Sequence, residues 1–342
     1  MSEQMGAAVI GLGMMGERHA RIWRELHMTR LVSVHDIVSE RTEEVSRLLG
    51  CDAAESLEEA IEAEDVQIVS VCTSDEAHRE ACVTAAEAGK HVLVEKPLAT
   101  TLEDCDAIIE ACRRNDVKLM TGHVCRFDPR YVKCRDAVME GDLGEIVQVF
   151  ARRNNILPSG LRIGPRTSVA FFLGVHDIDL IQWVTGRQIT RVHSESTSRV
   201  LKDIPADDTI MTVFRLEGGG VGALETCWVI PEGAPNSLDA RLEIVGSSGR
   251  VAAIVGCEGF EQQSEERALR PDIIYWTEMH DGAQGGLRRQ LEHFAECVIE
   301  DRDPVVSSQH ARSAVEVAAA IHRSLESGQP VEIETSSVRG PS

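Results

Sequence analysis

Lysine is scarce in this chain. Lys90, Lys96, Lys118, Lys133 and Lys202 are the only five among 35 basic residues, and the other thirty are arginine. A GC-rich coding bias explains the scarcity, or an acidic, salt-adapted surface does; in either case each lysine stands out. Positive charge as a whole is also short. The formal net charge is −21, which argues against nucleic acid and anionic membrane surfaces as partners. No run of 18 apolar residues occurs, so no membrane-spanning helix is expected. The opening "MSEQMGAAVIGLG" passes directly into an apolar strand, without the basic segment and cleavage site of a secretory signal. The ten cysteines are singletons with no CxxC pair. That excludes a zinc ribbon or disulfide framework and suits a reduced, cytoplasmic protein with no metal. No internal repeat or low-complexity tract is present.

What the sequence does contain is two successive grammars. At 342 residues the length suits two domains. Residues 1–122 alternate short apolar, β-branched runs ("GAAVIGLG", "RLVSVHD", "DVQIVSVCT", "KHVLVEKP", "VKLMTGH") with amphipathic helical stretches. This is the βαβ pattern of a doubly wound, parallel, Rossmann-type domain. From residue 123 to 342 the pattern changes. A helix over "DPRYVKCRDAVMEG" and a strand near Ile146–Arg153 lead into a loop, "NNILPSGLRIGPRTS". The apolar helix "VAFFLGVHDIDLIQW" follows. Five strand patterns with hairpin-like connections then predict one large, mostly antiparallel sheet, and two helices close the chain. The fold class expected is an α/β dinucleotide-binding domain plus an α+β C-terminal domain for substrate and oligomerisation.

The first strand runs into Gly11-x-Gly13-x-x-Gly16 at the start of a helix. In that context the first glycine permits a tight turn and the second lets the backbone approach a pyrophosphate. The third lets helix and strand pack closely, while the helix N-terminus supplies amide donors. Met14 and Met15 fill the loop's variable positions. Asp36 ends the second strand, twenty residues after Gly16, where a carboxylate accepts hydrogen bonds from a ribose diol and repels a 2′-phosphate. Apolar Ile37 and Val38 follow it rather than arginine. NAD is therefore expected over NADP.

With "AGKHVLVEKPLA" the sequence resembles the glucose–fructose oxidoreductase and inositol dehydrogenase (Gfo/Idh/MocA) family. The pieces that carry the resemblance stand in order: "GLGMMG", Asp36, "CTSDEAH", "VEKPLA", "GHVCRF", "GDLGEI", "GVHDIDLIQWVTG", "GALETCW" and "LEHFAECVIEDRDPV". The resemblance implies an NAD-linked oxidoreductase acting on a secondary alcohol or ketone of a sugar, cyclitol or sugar nucleotide. It also implies a homodimer or homotetramer built through the C-terminal sheet. Carried over by position, Lys96 is the lysine that touches both cofactor and reacting oxygen. Thr73 and His78 lie beside the cofactor, Glu95 lies under the nicotinamide ribose, and Pro97 shapes the backbone, with a cis bond as one option. His176 is the family's catalytic histidine. One departure stands out, since Phe172 occupies the place where many such sugar dehydrogenases have an aspartate.

Oxidation of a carbinol needs its hydroxyl proton removed, work suited to a group of near-neutral pKa. His176 has such a pKa unperturbed; Lys96 hydrogen-bonds the reacting oxygen. On a regular helix Asp179 lies about 60° from His176 and Phe172 about 40° on the other side. Asp179 is thus a candidate to orient His176 or to hold a substrate hydroxyl in place of the missing aspartate. Residues 146–176 contain no acid but hold Arg152, Arg153, Arg162 and Arg166. Guanidinium forks bind carboxylate or phosphate, so an anionic substrate is one reading and pairing with acids of the protein the other. Lys96, His123, Arg126, Arg162, Arg166 and Asp179 form the expected substrate set. Two further readings stay open: an NAD-binding regulatory protein without turnover, and an enzyme using NAD transiently for elimination or epimerisation.

Overall fold

The computed structural model describes residues 4–256, 259–264, 268–280 and 282–334. The chain forms two compact units, one of Met1–Val124 with Ile274–Arg312, the other of Cys125–Ile273 with Ser313–Ser342. A cut after residue 122 misses the return of 274–312 to the first unit. Long-range ion pairs link that segment to the rest of the unit. Arg21 binds Glu278 at 2.8 Å, Lys118 binds Asp301 at 2.8 Å and Arg312 binds Asp106 at 2.5 Å.

The first unit carries β1 (Met5–Ile10), α1 (Met14–Glu25), β2 (Thr29–His35), α2 (Ser39–Leu49) and β3 (Asp52–Ala53). It continues through α3 (Leu57–Glu62), β4 (Val66–Val71), α4 (His78–Glu87), β5 (His91–Val94), α5 (Leu102–Arg114) and β6 (Leu119–Thr121). The strands form one sheet in the order β3-β2-β1-β4-β5-β6, with every pairing parallel. Ala7, Ala8, Val9, Val69, Val92, Leu93 and Val94 are fully buried, as strands covered on both faces require. The order reverses between β1 and β4, and in such sheets the crevice at the strands' carboxyl ends receives the ligand. The loops after β1, β4 and β5 all end there.

The second unit contains α6 (Pro129–Met139), β7 (Ile146–Ile156), α7 (Leu157–Ile163) and α8 (Val175–Thr185). Then come β8 (Ile189–Thr197), β9 (Thr209–Leu216), β10 (Val221–Ile230), β11 (Leu238–Gly246) and β12 (Arg250–Val255). Its sheet has the order β12-β11-β7-β10-β9-β8, with Val331–Glu332 on the outer edge. All neighbours are antiparallel except β7 and β10. β9 alternates strictly, with Ile210, Thr212, Phe214 and Leu216 buried and Met211, Val213 and Arg215 exposed. Among the described residues, one face of β9 is therefore buried and the other exposed.

Two expectations fail locally. The loop "NNILPSGLRIGPRTS" extends β7 to Ile156 and then forms α7; Pro158 sits in the first turn, where its missing N–H costs nothing. The apolar helix is not one regular α-helix either. Ala170–Gly174 is wound as a π-turn before α8 begins, so the even angular spacing assumed between Phe172 and His176 does not hold. Such turns add a residue to the helix and occur at functional sites. Among the described residues, no helix is long and apolar enough to cross a membrane and no side-chain cluster suits a metal ion. No disulfide joins any two of the nine described cysteines; Cys257 lies outside the described residues.

Candidate active site

In the first unit the glycine loop has the geometry its spacing implies. Gly11 has φ +84°, and a Cβ there would lie 2.6 Å from the Thr73 amide nitrogen. A Cβ on Gly16 would lie 1.8 Å from the Gly11 carbonyl oxygen. Gly13 is the opposite case, since a Cβ there would meet nothing within 4 Å. Gly13 caps α1 without any side-chain hydrogen bond, leaving the first-turn amides to a ligand. Met14 is exposed and Met15 half-buried alongside it. Asp36 is half-buried. Its Oδ2 accepts from the Leu12 amide at 2.6 Å and its Oδ1 from the Val38 amide at 2.9 Å. Each oxygen keeps a lone pair for a diol. An open backbone cradle, uncapped amides and a fixed carboxylate fit a dinucleotide.

Lys96 follows β5 and is half-buried, and the Lys96–Pro97 peptide is cis. Two buried groups hold this turn from behind. Glu95 accepts from the Lys96 amide at 3.3 Å and from His19 Nε2 at 3.2 Å. Burial opposes ionisation of Glu95, but the His19 hydrogen bond and the charges of His19 and Lys96 outweigh it and hold the carboxyl below its ordinary range. His78 is expected beside the cofactor. It is fully buried, with Nδ1 2.9 Å from the Pro97 carbonyl. Burial lowers its pKa against the pull of Asp75 and the Pro97 carbonyl. His78 thus supports the lysine turn. Thr73 is half-buried beside Gly11, and His123 is buried just beyond β6.

In the second unit, ten of the eleven residues of α8 are buried, and His176 is the exception. The acids on either side of it are consumed by arginines. Asp177 forms a fork with Arg153, at 2.6 and 3.2 Å, with Tyr131 Oη 3.4 Å from Arg153 Nη2. Asp179 forms a fork with Arg126, at 2.9 and 2.5 Å. All four side chains are at most 3% exposed. Burial opposes the Arg153 charge, but the Asp177 carboxylate outweighs it and raises the pKa further. The Arg126–Asp179 pair changes two expectations. Asp179 and Arg126, both expected to meet substrate, hold one another in the interior. Cys125, next to Arg126, places its Sγ 3.9 Å from His176 Nδ1.

The remaining arginines divide. Arg152 is paired with Glu225 at 3.1 Å and Asp239 at 3.5 Å. Arg162 and Arg166 are exposed and form no ion pair among the described residues. Phe172 is half-buried, 6.3 Å centroid to centroid from the Trp228 ring. A Cβ on Gly160 would also come within 3.1 Å of the Trp228 indole. Sequence reasoning missed His19, Cys125 and Arg41, the last of which donates to the Leu12 carbonyl at 2.9 Å. Each is an ordinary residue locally and gains its role only through a partner distant in sequence.

Comparison with known proteins agrees with this architecture. Residues 5–123 match the model of an oxidoreductase family with an NAD-binding Rossmann fold, and residues 135–333 match that family's C-terminal alpha/beta domain. The chain is 29% identical to myo-inositol 2-dehydrogenase of Thermotoga maritima over 96% of this chain and 99% of that one. It is 28% identical to scyllo-inositol 2-dehydrogenase (NAD(+)) of Bacillus subtilis, over 98% of each. A crystal structure of a probable dehydrogenase from Thermotoga maritima matches with a TM-score of 0.82 at 26% identity, covering 96% and 98% of the two chains. With both halves of the family present in order around a glycine loop built for a dinucleotide, the chain belongs to the Gfo/Idh/MocA family of NAD-binding oxidoreductases.

Proposed function

We propose that the protein oxidises a secondary alcohol of a cyclitol, sugar or anionic sugar derivative, or reduces the corresponding ketone, using NAD. One observation carries this reading: α8 is buried throughout except for His176. A helix that hides every other side chain, two carboxylates included, and presents an imidazole suits a proton-transfer group. Bound NAD supplies the hydride acceptor. The chain's own task is then to hold the substrate oxygen and take its proton. Lys96, on a turn fixed by Glu95 and His78, donates to that oxygen. His176 Nε2 receives the hydroxyl proton, while Nδ1 faces the Cys125 thiol. Asp179 acts through Arg126, as a positioning residue for the helix.

The inositol dehydrogenases among the relatives favour a cyclitol or sugar as substrate. Phe172 beside Trp228 makes that flank apolar, which disfavours a polyol hydroxyl there. Arg162 and Arg166 favour a carboxylate or phosphate on the substrate. Exposed Met211, Val213, Val221 and Ile254 on the outer sheet face favour a homodimer or homotetramer through that face. Nine described cysteines with no disulfide among them favour a reducing, cytoplasmic setting.

The test is NADH formation at 340 nm across a panel of cyclitols, hexoses, uronates and sugar phosphates, with Lys96→Ala as control. Turnover of an anionic member, with KM raised in Arg162→Ala and Arg166→Ala, supports the whole reading. KM values unchanged in both variants for every substrate found would end the anion part. NAD that stays bound during conversion without net NADH would favour elimination or epimerisation.

A further inference from the structure

The ribose end of the dinucleotide site contains a cation that the Asp36 assignment does not use. Arg41 lies on α2, five residues after Asp36. Both side chains grip the same loop residue: Asp36 Oδ2 accepts from the Leu12 amide at 2.6 Å, and Arg41 Nε donates to the Leu12 carbonyl at 2.9 Å. The guanidinium therefore sits within one residue of the carboxylate that addresses the ribose. A guanidinium at this place is the natural fork for a 2′-phosphate. Here the fork is already taken. Arg41 Nη1 donates to Glu44 at 2.7 Å and Nη2 donates to Glu17. Glu17 reaches it from the first turn of α1 and Glu44 from α2 itself. The group as a whole, three carboxylates and one guanidinium, carries a net charge of −2 beside the ribose position.

We propose that Arg41 is a latent phosphate-binding fork, and that Glu17 and Glu44 occupy it and so exclude the 2′-phosphate of NADP. Discrimination between the two dinucleotides is then shared. Asp36 repels the phosphate, while Glu17 and Glu44 deny it the guanidinium that holds the Leu12 carbonyl. Arg41 is only about one-quarter exposed and Glu17 less than half exposed, so the pair is less screened than a pair in open solvent. Its loss is felt at the ribose.

The test is direct titration of the whole protein with NADH and with NADPH, read by nucleotide fluorescence, with no substrate present. Wild type binds NADH more tightly. Glu17→Gln with Glu44→Gln is expected to tighten NADPH about fivefold and to leave NADH within about twofold, since only the phosphorylated ribose meets the released fork. The gain shrinks at high salt. Adding Arg41→Gln cancels it, which separates a working guanidinium from the simple removal of two negative charges. The exposed Glu44→Gln change alone gives a smaller gain in the same direction. The proposal is overturned if the double variant binds NADPH no better than wild type, or if the gain survives Arg41→Gln. It is also overturned if the double variant loses NADH, because the acids would then be holding the glycine loop rather than choosing the cofactor.

Discussion

The glycine loop of the first unit and helix α8 of the second present chemistry in opposite ways. In the loop, backbone does the work. Gly11 and Gly16 are required by contacts under 3 Å, Gly13 leaves open space, and the amides of α1 are uncapped. At α8 a single side chain, His176, is not fully buried, and the other ten residues of the helix pack around it. Two arginines from other segments, Arg153 on β7 and Arg126 from the turn after β6, lock the acids beside His176. A backbone site can be built from neighbours in sequence. A single presented side chain needs partners from far away in the chain.

The largest expected effect tests the locks. Arg153→Met leaves Asp177 as a buried, unpaired carboxylate and is expected to cost about 3–5 kcal/mol of stability in denaturant titration. Arg153→Met with Asp177→Asn recovers part of the loss, because no charge is then stranded. Equal losses in the single and double variants would show that packing, not charge, holds α8.

The glycine loop gives the next effects. Gly16→Ala forces a Cβ against backbone and is expected to destabilise the apo protein by about 1–3 kcal/mol or more. Gly13→Ala is expected to leave the apo Tm unchanged and weaken NADH about tenfold, since the space it enters is the cofactor's. A drop in apo Tm with Gly13→Ala would remove the distinction between the two glycines.

The smallest effect is on acid stability. Burial lowers the folded-state pKa of His78, so the unfolded chain takes the proton first. Stability falls as pH drops below about 6.5, where an unfolded histidine protonates. The depressed Glu95 carboxyl contributes stability above its ordinary range, and that share is lost only as pH falls further. His78→Gln is expected to flatten part of that slope, seen as Tm against pH, with His91, His293 and His322, whose pKa values burial also lowers, supplying the rest. An unchanged slope would mean that His78 is not the group responsible.

These two regions differed equally in how far the sequence revealed them. Gly11, Gly13, Gly16 and Asp36 were legible because their spacing encodes a local geometry, and the parallel sheet was legible because both-face burial leaves continuous apolar runs. The helix bearing His176 was visible, but its internal geometry was not, because the π-turn at Ala170–Gly174 has no periodic signature. Asp179 read as a free partner for His176 because angular position on a helix says nothing about an arginine more than fifty residues earlier. The acid-free stretch around Arg152–Arg166 was real, but it joined two different things: Arg152 and Arg153 pair with acids of their own unit, while Arg162 and Arg166 remain exposed. The loop "NNILPSGLRIGPRTS" hid α7 because its glycines and prolines outweighed a seven-residue helix of about two turns packed near Trp228.

The most direct test of the central claim is His176→Gln, measured for turnover, NADH affinity and Tm on one preparation. The expected result is a loss of about 10²–10⁴ in kcat/KM, with NADH affinity and Tm unchanged. Turnover close to wild type would contradict the role given to His176. A large fall in Tm would show that His176, the one residue of α8 that is not fully buried, is there for stability rather than chemistry.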